Sequence, residues 1–396
     1  MVNNRRLGDY IEEVDERAGK NSQYSLKDIR GISSITKLFQ KTKANLVDVS
    51  PAGYKVVKPM QFAFNPNTAR MGDKIPIALN MENKNIIVSS IYPVFMIKDT
   101  NALDPQYLWL WFKRSEFDRY ARFKSHGSAR EIFSWEEMCN VELPVPSIAK
   151  QREIVSLYNL TISNIENNNE NITRLRRLAE FLYKQSIIGV KEEKTIKELS
   201  SKVVTGKTPS TEKDELWGDS IPFVTIPDMH GNTYIEETGR SLSDLGSKTQ
   251  KTTMIPEDSI VVSCIATVGL VGISTRKCHT NQQINSVILK NDNDKYFVYE
   301  SLLNNTQELK SLGEGGSATL NVSKSKFENF KIKYPTEDIR GGFSKACEPI
   351  FETIHALEDE NRHLIAMSDV IIHSMKKLVR RNREKVYRSR IRKVYH

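Results

Sequence analysis

Apolar residues recur at alternating steps of four and three residues along two long stretches of the chain. Such steps are typical of the a and d positions of a coiled coil, so they predict two long helices that pair with each other. The alternative is two solvated helix faces, because Asn168, Asn361 and Ser368 interrupt the apolar stripes. The positions that we expect to pair the helices are Ile154, Ile165, Ile172, Leu175, Leu182, Ile354, Leu357, Leu364, Ile371 and Met375.

Short β-branched runs bounded by glycine and proline make up much of the remaining pattern. Residues 104–123 have helical character instead, and we expect Trp109, Trp111 and Phe112 to lie in a core. The parts of the chain ahead of each long helix therefore predict mixed α and β structure. Strands are predicted within residues 54–64, 85–97, 259–274 and 284–290.

The two halves of the chain are related by an internal repeat. Residues 127–134 (GSAREIFS) match residues 316–323 (GSATLNVS), 189 positions later, and the two heptad stripes are in register at the same distance. Repeats related by an approximate two-fold axis bring equivalent helices together in antiparallel orientation. The predicted fold class is therefore α/β (α+β), with two tandem pseudo-symmetric domains joined by two long antiparallel coiled-coil helices.

We expect the following bounds for these parts. The first domain covers residues 1–149 and its helix residues 150–190, and the second domain covers residues 191–340 and its helix residues 341–380, with a basic tail over 381–396. A helix over residues 150–188 would be about 58 Å long, which is enough to hold two domains apart.

The composition indicates a soluble globular protein, with 396 residues of which 39% are hydrophobic and 27% charged. Two domains suit this length. No stretch approaches the roughly 20 apolar residues of a membrane span, and we expect a cytoplasmic protein that does not bind membranes. The cysteines are far apart in sequence and predict ordinary buried thiols: Cys139, Cys264, Cys278 and Cys347.

The net charge of +9 is concentrated at the end of the chain. The segment from Lys376 onward carries ten basic residues and one acidic residue, whereas residues 1–375 carry 48 of each. Any phosphate-binding face in the body of the chain must therefore come from local segregation of charge. Three interpretations of the segment from Arg380 stay open: a phosphate-binding arm, a solvated extension of the helix, and a tail without a role.

Motifs for catalysis are missing from the sequence. The Asn65-Pro66-Asn67-Thr68 stretch lacks the second proline and the aromatic residue of an adenine methyltransferase loop, and Gly206-Lys207-Thr208 lacks the first glycine of a phosphate-binding loop. The histidines show no metal-ligand spacing. We therefore predict that this chain is not an enzyme and holds no metal or cofactor of its own.

Two blocks carry a family resemblance, residues 127–155 and their partner, residues 316–339. The first has a Gly-Ser turn, a helix that begins at serine, a short strand, and then Pro144, Pro146 and Gln151 ahead of the long helix. In this arrangement the whole chain resembles the specificity subunits of type I restriction-modification systems. The second block keeps Pro335 but has Arg340-Gly341-Gly342 in place of Gln-Arg-Glu, so the sequence defines the start of its helix less well.

The resemblance implies two target-recognition domains, over residues 1–149 and 191–340, each of which binds one half of a split double-stranded DNA site. It implies that the paired helices set the spacer between the half-sites and dock two methylation subunits. Those subunits would bring S-adenosylmethionine, and separate restriction subunits would bring ATP and Mg²⁺ for hydrolysis and cleavage.

Base reading in the major groove uses Arg, Lys, Asn, Gln, Ser and Thr on loops, while further cations hold phosphates. For each candidate, a solvated or turn-forming side chain is the alternative. In the first domain the candidates are Asn65, Asn67, Arg70, Lys74, Ser128 and Arg130. In the second domain they are Lys207, Thr208, Arg276, Lys277, Gln282, Gln283, Ser317, Thr319 and Lys324.

Three other functions stay open. A coiled-coil scaffold that binds only proteins would explain the helices, but it would leave the two divergent domains without a purpose. The chain would also suit the recognition half of a self-sufficient modification enzyme, although a catalytic domain is missing. A recognition subunit of a related methylation-only or phage-defence complex is the third.

Overall fold

The computed structural model describes residues 4–20, 23–42, 49–67, 74–125, 131–314 and 320–394, with residues 4 and 376–394 as backbone alone. The chain divides into two compact units. Unit 1 consists of Met1–Asn164 and Leu364–His396, and unit 2 of Ile165–His363. Among the described residues, no helix is both long enough and apolar enough to span a membrane.

Unit 1 is built from short strands, short helices and parts of two long helices. Its strands are β1 (Asn4–Arg6), β2 (Ile11–Val14), β3 (Arg30–Ile32), β4 (Phe39–Lys41), β5 (Lys55–Val57), β6 (Phe62–Phe64), β7 (Ile77–Leu79), β8 (Ile86–Val88), β9 (Val94–Ile97) and β10 (Glu142–Pro144). Its short helices are α1 (Pro105–Phe112), α2 (Ser115–Lys124) and α3 (Trp135–Cys139).

The main sheet of unit 1 has the antiparallel order β2-β9-β6-β7, and β1 pairs with β10, β3 with β4, and β5 with β8. Its core contains the stacked rings of Phe62 and Phe95, whose centroids are 4.9 Å apart. Trp109 and Phe112 are buried in the same cluster and the half-buried Trp111 packs against it, which confirms the core prediction for this helix.

Unit 2 contains β11 (Glu193–Thr195), β12 (Ser200–Thr205), β13 (Trp217–Gly218), β14 (Ile221–Val224), β15 (Tyr234–Ile235), β16 (Ser241–Leu242), β17 (Ile260–Ser263), β18 (Val271–Ser274), β19 (His279–Thr280), β20 (Ile284–Leu289) and β21 (Lys331–Lys333). The long helix α4 (Ile148–Ser186) comes before them in the chain. The short helices are α5 (Ile196–Leu199), α6 (Ile226–Met229), α7 (Asp244–Thr249), α8 (Lys295–Asn304), α9 (Thr306–Gly313) and α10 (Lys324–Glu328), and the second long helix is α11 (Glu337–Val394).

Two larger sheets form the body of unit 2. The five-stranded sheet has the order β12-β20-β17-β18-β15, in which β15 runs parallel to β18 and the other pairs are antiparallel. The four-stranded sheet has the order β13-β16-β14-β19, in which β14 and β19 are parallel. The predicted strand runs in both units contain strands.

The repeat at 189 positions is visible in the elements themselves. It relates β1 to β11, α3 to α10, and β10 to β21, and in each copy the first of these strands pairs antiparallel with the last. It also relates the starts of the two long helices, Ile148 and Glu337. Each unit is therefore closed by the same two-stranded sheet directly ahead of its long helix.

The start of α11 is as firmly fixed as that of α4, although its sequence departs from the first copy. Gln151 Nε2 donates to the carbonyl oxygen of Pro146 at 2.9 Å, and its Oε1 accepts from the backbone N–H of Asp104 at 2.8 Å. At the equivalent position, Arg340 Nη1 donates to the carbonyl oxygen of Pro335 at 2.6 Å, and its Nε donates to Asp294 Oδ1 at 2.8 Å. A buried ion pair thus replaces the glutamine.

Within unit 2 the long helices pack antiparallel. Asn168 Nδ2 donates to Asn361 Oδ1 at 3.1 Å, and further along α4 the ring of Tyr183 lies 6.5 Å from that of Phe343. Asn361 also donates to Asn169 Oδ1 at 3.0 Å. A buried polar layer of this kind favours one register and one direction of pairing over others.

The predicted pairing positions differ in burial. In unit 1, Ile154, Ile371 and Met375 are buried in the core cluster that also holds Tyr158. In unit 2, Ile172 and Ile354 are buried, and Leu175, Leu182 and Leu357 are partly buried against the same cluster. Ile165 and Leu364 are half-buried.

All four cysteines are free, and Cys264, Cys278 and Cys347 are buried as predicted, but the prediction of a buried thiol is wrong for Cys139. Burial raises the pKa of Cys264 to about 11 and the pKa values of Cys278 and Cys347 to about 12, so these thiols are protonated and unreactive at neutral pH. Cys139 is half-buried.

Candidate nucleic-acid interface

An amide-rich turn joins β19 to β20 in unit 2. Asn281 Oδ1 accepts from the backbone N–H of Gln283 at 3.0 Å, and Asn281 Nδ2 donates to Gln283 Oε1 at 3.0 Å. Gln282, between them, is exposed. The buried Asn281 therefore holds the backbone of a turn that presents a glutamine side chain to solvent.

The segment after β12 lies against this turn. A Cβ atom at Gly206 would come within 2.2 Å of the carbonyl oxygens of Thr280 and Asn281, so only glycine permits this approach. Lys207 donates its backbone N–H to Thr280 at 3.0 Å, and Thr208 Oγ1 donates to Gln282 Oε1. The fold thus brings together Lys207, Thr208, Gln282 and Gln283, four of the predicted DNA-binding residues.

The strand that leads into the turn is anchored from inside. His279 is buried, and its Nε2 lies 3.0 Å from Ser247 Oγ. Burial lowers the pKa of His279, so the ring is neutral at pH 7. The support of the turn is therefore uncharged, and Lys207 is an exposed cation beside the turn.

Three other candidates of unit 2 lie elsewhere. Arg276 and Lys277 precede β19, whereas Gln282 and Gln283 follow it, so the two pairs lie at opposite ends of this strand. Arg276 donates to the carbonyl oxygen of Glu236 at 2.8 Å. Lys324 lies at the start of α10 and forms a partly exposed ion pair with Glu328 at 3.6 Å.

In unit 1, the structure describes three of the six candidates. Asn65 is buried, and its Oδ1 accepts from the backbone N–H of Asn67 at 3.1 Å, which is the role of a turn-forming residue. Lys74 is exposed and lies close enough to the buried Lys37–Asp118 ion pair for its charge to act on both groups. These residues stay predicted contacts, as do the candidates of unit 2.

Several predicted features lie outside the described residues. Among the candidate contacts these are Arg70, Ser128, Arg130, Ser317 and Thr319. The side chains of the basic segment from Lys376 also lie outside them.

The described surface of unit 2 presents side chains that can form hydrogen bonds to bases and to phosphate. Glutamine and asparagine amides can form two hydrogen bonds to the N6 and N7 atoms of adenine, and an exposed lysine can bind phosphate. In the part of the chain that the structure describes, no group of three or more His, Cys, Asp or Glu residues could hold a metal ion. Sequence reasoning missed Asn281, whose signal was its place in an Asn-Gln-Gln run between two strands.

The chain is similar to several known proteins. Residues 190–361 match the model of the type I restriction modification DNA specificity domain. The chain is 41% identical over 183 residues to the type I restriction enzyme HindI specificity subunit of Haemophilus influenzae, an alignment that covers 46% of this chain and 40% of that protein. It is 28% identical over 149 residues to the MjaIX specificity subunit of Methanocaldococcus jannaschii, which covers 37% and 34%.

The alignments span less than half the length of these two curated relatives. Across nearly the whole chain, the fold is similar to the crystal structure of the type I restriction-modification system S subunit from M. genitalium. The TM-score is 0.58 at 12% identity, and the match covers 94% of this chain and 96% of that one. This likeness confirms the predicted fold class.

Proposed function

We propose, from the membership of residues 190–361 in the type I restriction modification DNA specificity domain family, that the whole chain is a sequence-specific DNA-binding subunit of a type I restriction-modification complex. Each unit binds one half of a split DNA site. The observation that carries this proposal is the repeat at 189 positions, which gives each long helix the same start and the same two-stranded sheet ahead of it.

Divergence between the repeats supports two different half-sites. The sheet of unit 2 that carries the Asn281–Gln283 turn takes two of its strands, β13 and β14, from residues 208–229. The sequence of this stretch differs widely from its counterpart in the first half. A protein that held two copies of one ligand would have no need of this divergence. A shared arrangement of elements with different surfaces is what we expect of a protein that binds two different DNA sequences.

Binding of the purified chain to duplex DNA at several salt concentrations tests this proposal against a protein-only scaffold. Neutralised phosphates release counterions, so the logarithm of the binding constant falls with the logarithm of salt concentration by about 0.9 for each phosphate contact in B-DNA. We expect such a slope, and unlabelled duplexes with a split site should compete better than random duplexes. A chain that binds no duplex at low salt would support the scaffold.

The long helices also carry apolar residues that the fold leaves exposed. On α4, Leu178 and Phe181 are 45% and 56% exposed, and on α11 Met367 and Val370 are 42% and 66% exposed. The two pairs are 189 positions apart, so they occupy equivalent places in the repeat. Exposed apolar residues at duplicated positions suit two copies of one partner, and we assign them to the docking of two methylation subunits.

Replacing one of these two pairs of exposed apolar residues should remove one copy of the methylation subunit. In a complex assembled with the methylation subunit, we expect Leu178→Ser/Phe181→Ser to leave a species with one methylation subunit, and the additional changes Met367→Ser/Val370→Ser to leave none. Native mass spectrometry reads the stoichiometry directly. The control is Ile188→Ser, which removes a side chain that is 70% exposed just beyond the end of α4. Two bound partners after all four changes would refute this assignment.

The helices should set the distance between the half-sites. Seven residues inserted into both α4 and α11 lengthen each helix by about 10 Å, or about three base pairs of B-DNA. We expect the unread spacer of the target to grow by about this amount while both half-sites stay the same, as mapped by genome-wide methylation. An unchanged spacer with intact half-sites would contradict the proposal that the helices set this distance.

We further propose that the chain is not catalytic. The methylation subunits would supply S-adenosylmethionine, and restriction subunits would supply ATP hydrolysis with Mg²⁺. Omitting the methylation subunit should abolish methylation by the purified chain. Cleavage of unmodified DNA on addition of ATP and Mg²⁺ distinguishes a complete restriction complex from a methylation-only assembly.

A further inference from the structure

An arginine that no sequence motif marks is stacked on an aromatic ring beside the four-stranded sheet of unit 2. The guanidinium carbon of Arg240 lies 3.4 Å from the centroid of the Trp217 ring. The ring is itself fixed, because Trp217 Nε1 donates to the carbonyl oxygen of Ser210 at 3.1 Å and its ring meets that of Phe223 edge to face at 5.2 Å. Stacking of this kind restrains an arginine that would otherwise sample many rotamers.

The backbone of Arg240 is restrained as well. Its carbonyl oxygen accepts from the backbone N–H of Phe223 at 3.1 Å and from Thr238 Oγ1 at 2.7 Å. The backbone N–H of the preceding Gly239 donates to Asp228 Oδ1 at 2.8 Å. Both ends of this side chain, the Cα atom and the guanidinium group, are therefore held before any ligand arrives.

The side chain of Arg240 is exposed. Among the described residues, no carboxylate forms an ion pair with it within 4.0 Å. Arg174, another exposed arginine of unit 2, is instead paired with Glu170 at 3.2 Å. Stacking on the indole leaves the edge of the guanidinium, with its five N–H donors, available to a ligand.

The position of Arg240 relative to the Asn281–Gln283 turn follows from the strand directions in the four-stranded sheet. It directly precedes β16, which runs antiparallel to β14, whereas β19 runs parallel to β14 and ends at the turn. The backbone of Arg240 and the Asn281–Gln283 turn therefore lie at the same end of the four-stranded sheet.

We propose that Arg240, held by Trp217, binds the O6 and N7 atoms of a guanine in the half-site that unit 2 reads. This inference rests on the proposed function. A planar, fixed guanidinium fork matches these two acceptors in the major groove, and it is the commonest base-specific contact. The nearby segment is acidic, with Glu212, Asp214, Glu215 and Asp219, so it does not form a general phosphate-binding patch around Arg240. The arginine is thus better suited to a base edge than to the DNA backbone.

The test uses the full chain in complex with its methylation subunit, with methylated adenine mapped across the genome of a methylation-free host. Arg240→Lys keeps the charge and loses the fork, and Trp217→Phe keeps an aromatic ring and loses the indole anchor. For Arg240→Lys we expect the preference for guanine at one position of one half-site to fall by about tenfold. The other half-site should be read normally, which shows that the variant folds and assembles. Trp217→Phe should weaken the same position less.

Arg174→Lys, on the exposed face of α4, is the matched control and should change no position. An unchanged motif in Arg240→Lys, or an equal loss at every position, would overturn the assignment of Arg240 while leaving the proposed function intact. If the unaltered chain directs no split motif, the proposed function fails, and the role of Arg240 fails with it.

Discussion

Replacing Arg340 with alanine is expected to lower the free energy of unfolding of unit 2 by about 3–5 kcal/mol, because it leaves a buried carboxylate without its cation. The side chains of Arg340 and Asp294 are 10% and 7% exposed. Among the described side chains, Asp294 Oδ2 would keep only the hydroxyl of Tyr334, which donates to it at 2.7 Å. Hydrogen exchange of the buried amides of α8 and β20 measures the loss within this unit.

Two variants make the Arg340 result specific. Lys345→Ala removes an exposed cation from the same helix and should change the free energy of unfolding by less than about 0.5 kcal/mol. The double variant Arg340→Gln/Asp294→Asn removes both charges and should be more stable than Arg340→Ala, since no buried charge is left unpaired. A loss below about 1 kcal/mol for Arg340→Ala would contradict the role of this ion pair.

Replacing Glu358 with alanine is expected to cost about 2–4 kcal/mol, less than a fully buried ion pair because the partner Arg176 is partly exposed. Glu358 Oε1 accepts from the backbone N–H of Thr233 and from Arg176 Nη2, both at 2.8 Å, and its Oε2 accepts from the N–H of Tyr234 at 3.0 Å. This carboxylate thus links α11 and α4 to β15 at the edge of the sheet.

Hydrogen exchange of individual amides distinguishes the loss of this link from destabilisation of the whole unit. In Glu358→Ala, the amides of residues 233–235 should exchange faster than those of β17 and β20. Glu360→Ala, an exposed acid two residues further along α11, should leave both sets unchanged. Equal protection of β15 in Glu358→Ala and in the unaltered chain would show that the link does not hold the sheet edge.

The long helices were the part of the fold that the sequence predicted best, because a single periodic pattern of apolar residues specifies them. The heptad stripes and the repeat predicted two long helices, and both begin at equivalent residues. The second start could not be predicted with the same detail, since Arg340 replaces Gln151 only in combination with Asp294, a partner 46 residues away. Pairs of this kind depend on the tertiary fold and leave no local pattern.

Candidate contacts were harder to predict than the fold. Asn65 has the residue type of a base reader, yet its side chain is buried in a turn. Arg240 escaped sequence reasoning because its restraint comes from Trp217, which lies 23 positions earlier, in β13. Residue type alone does not reveal whether a polar side chain is exposed, restrained or already satisfied.

Expressing this chain with its methylation subunit in a methylation-free host, and mapping N6-methyladenine by single-molecule sequencing, tests directly whether the chain specifies a split DNA site. We expect methylation at a split motif, with two specific half-sites, a fixed unread spacer, and complete loss when this chain is omitted. Methylation that is absent, or that does not depend on this chain, would contradict this expectation and favour a protein-binding scaffold.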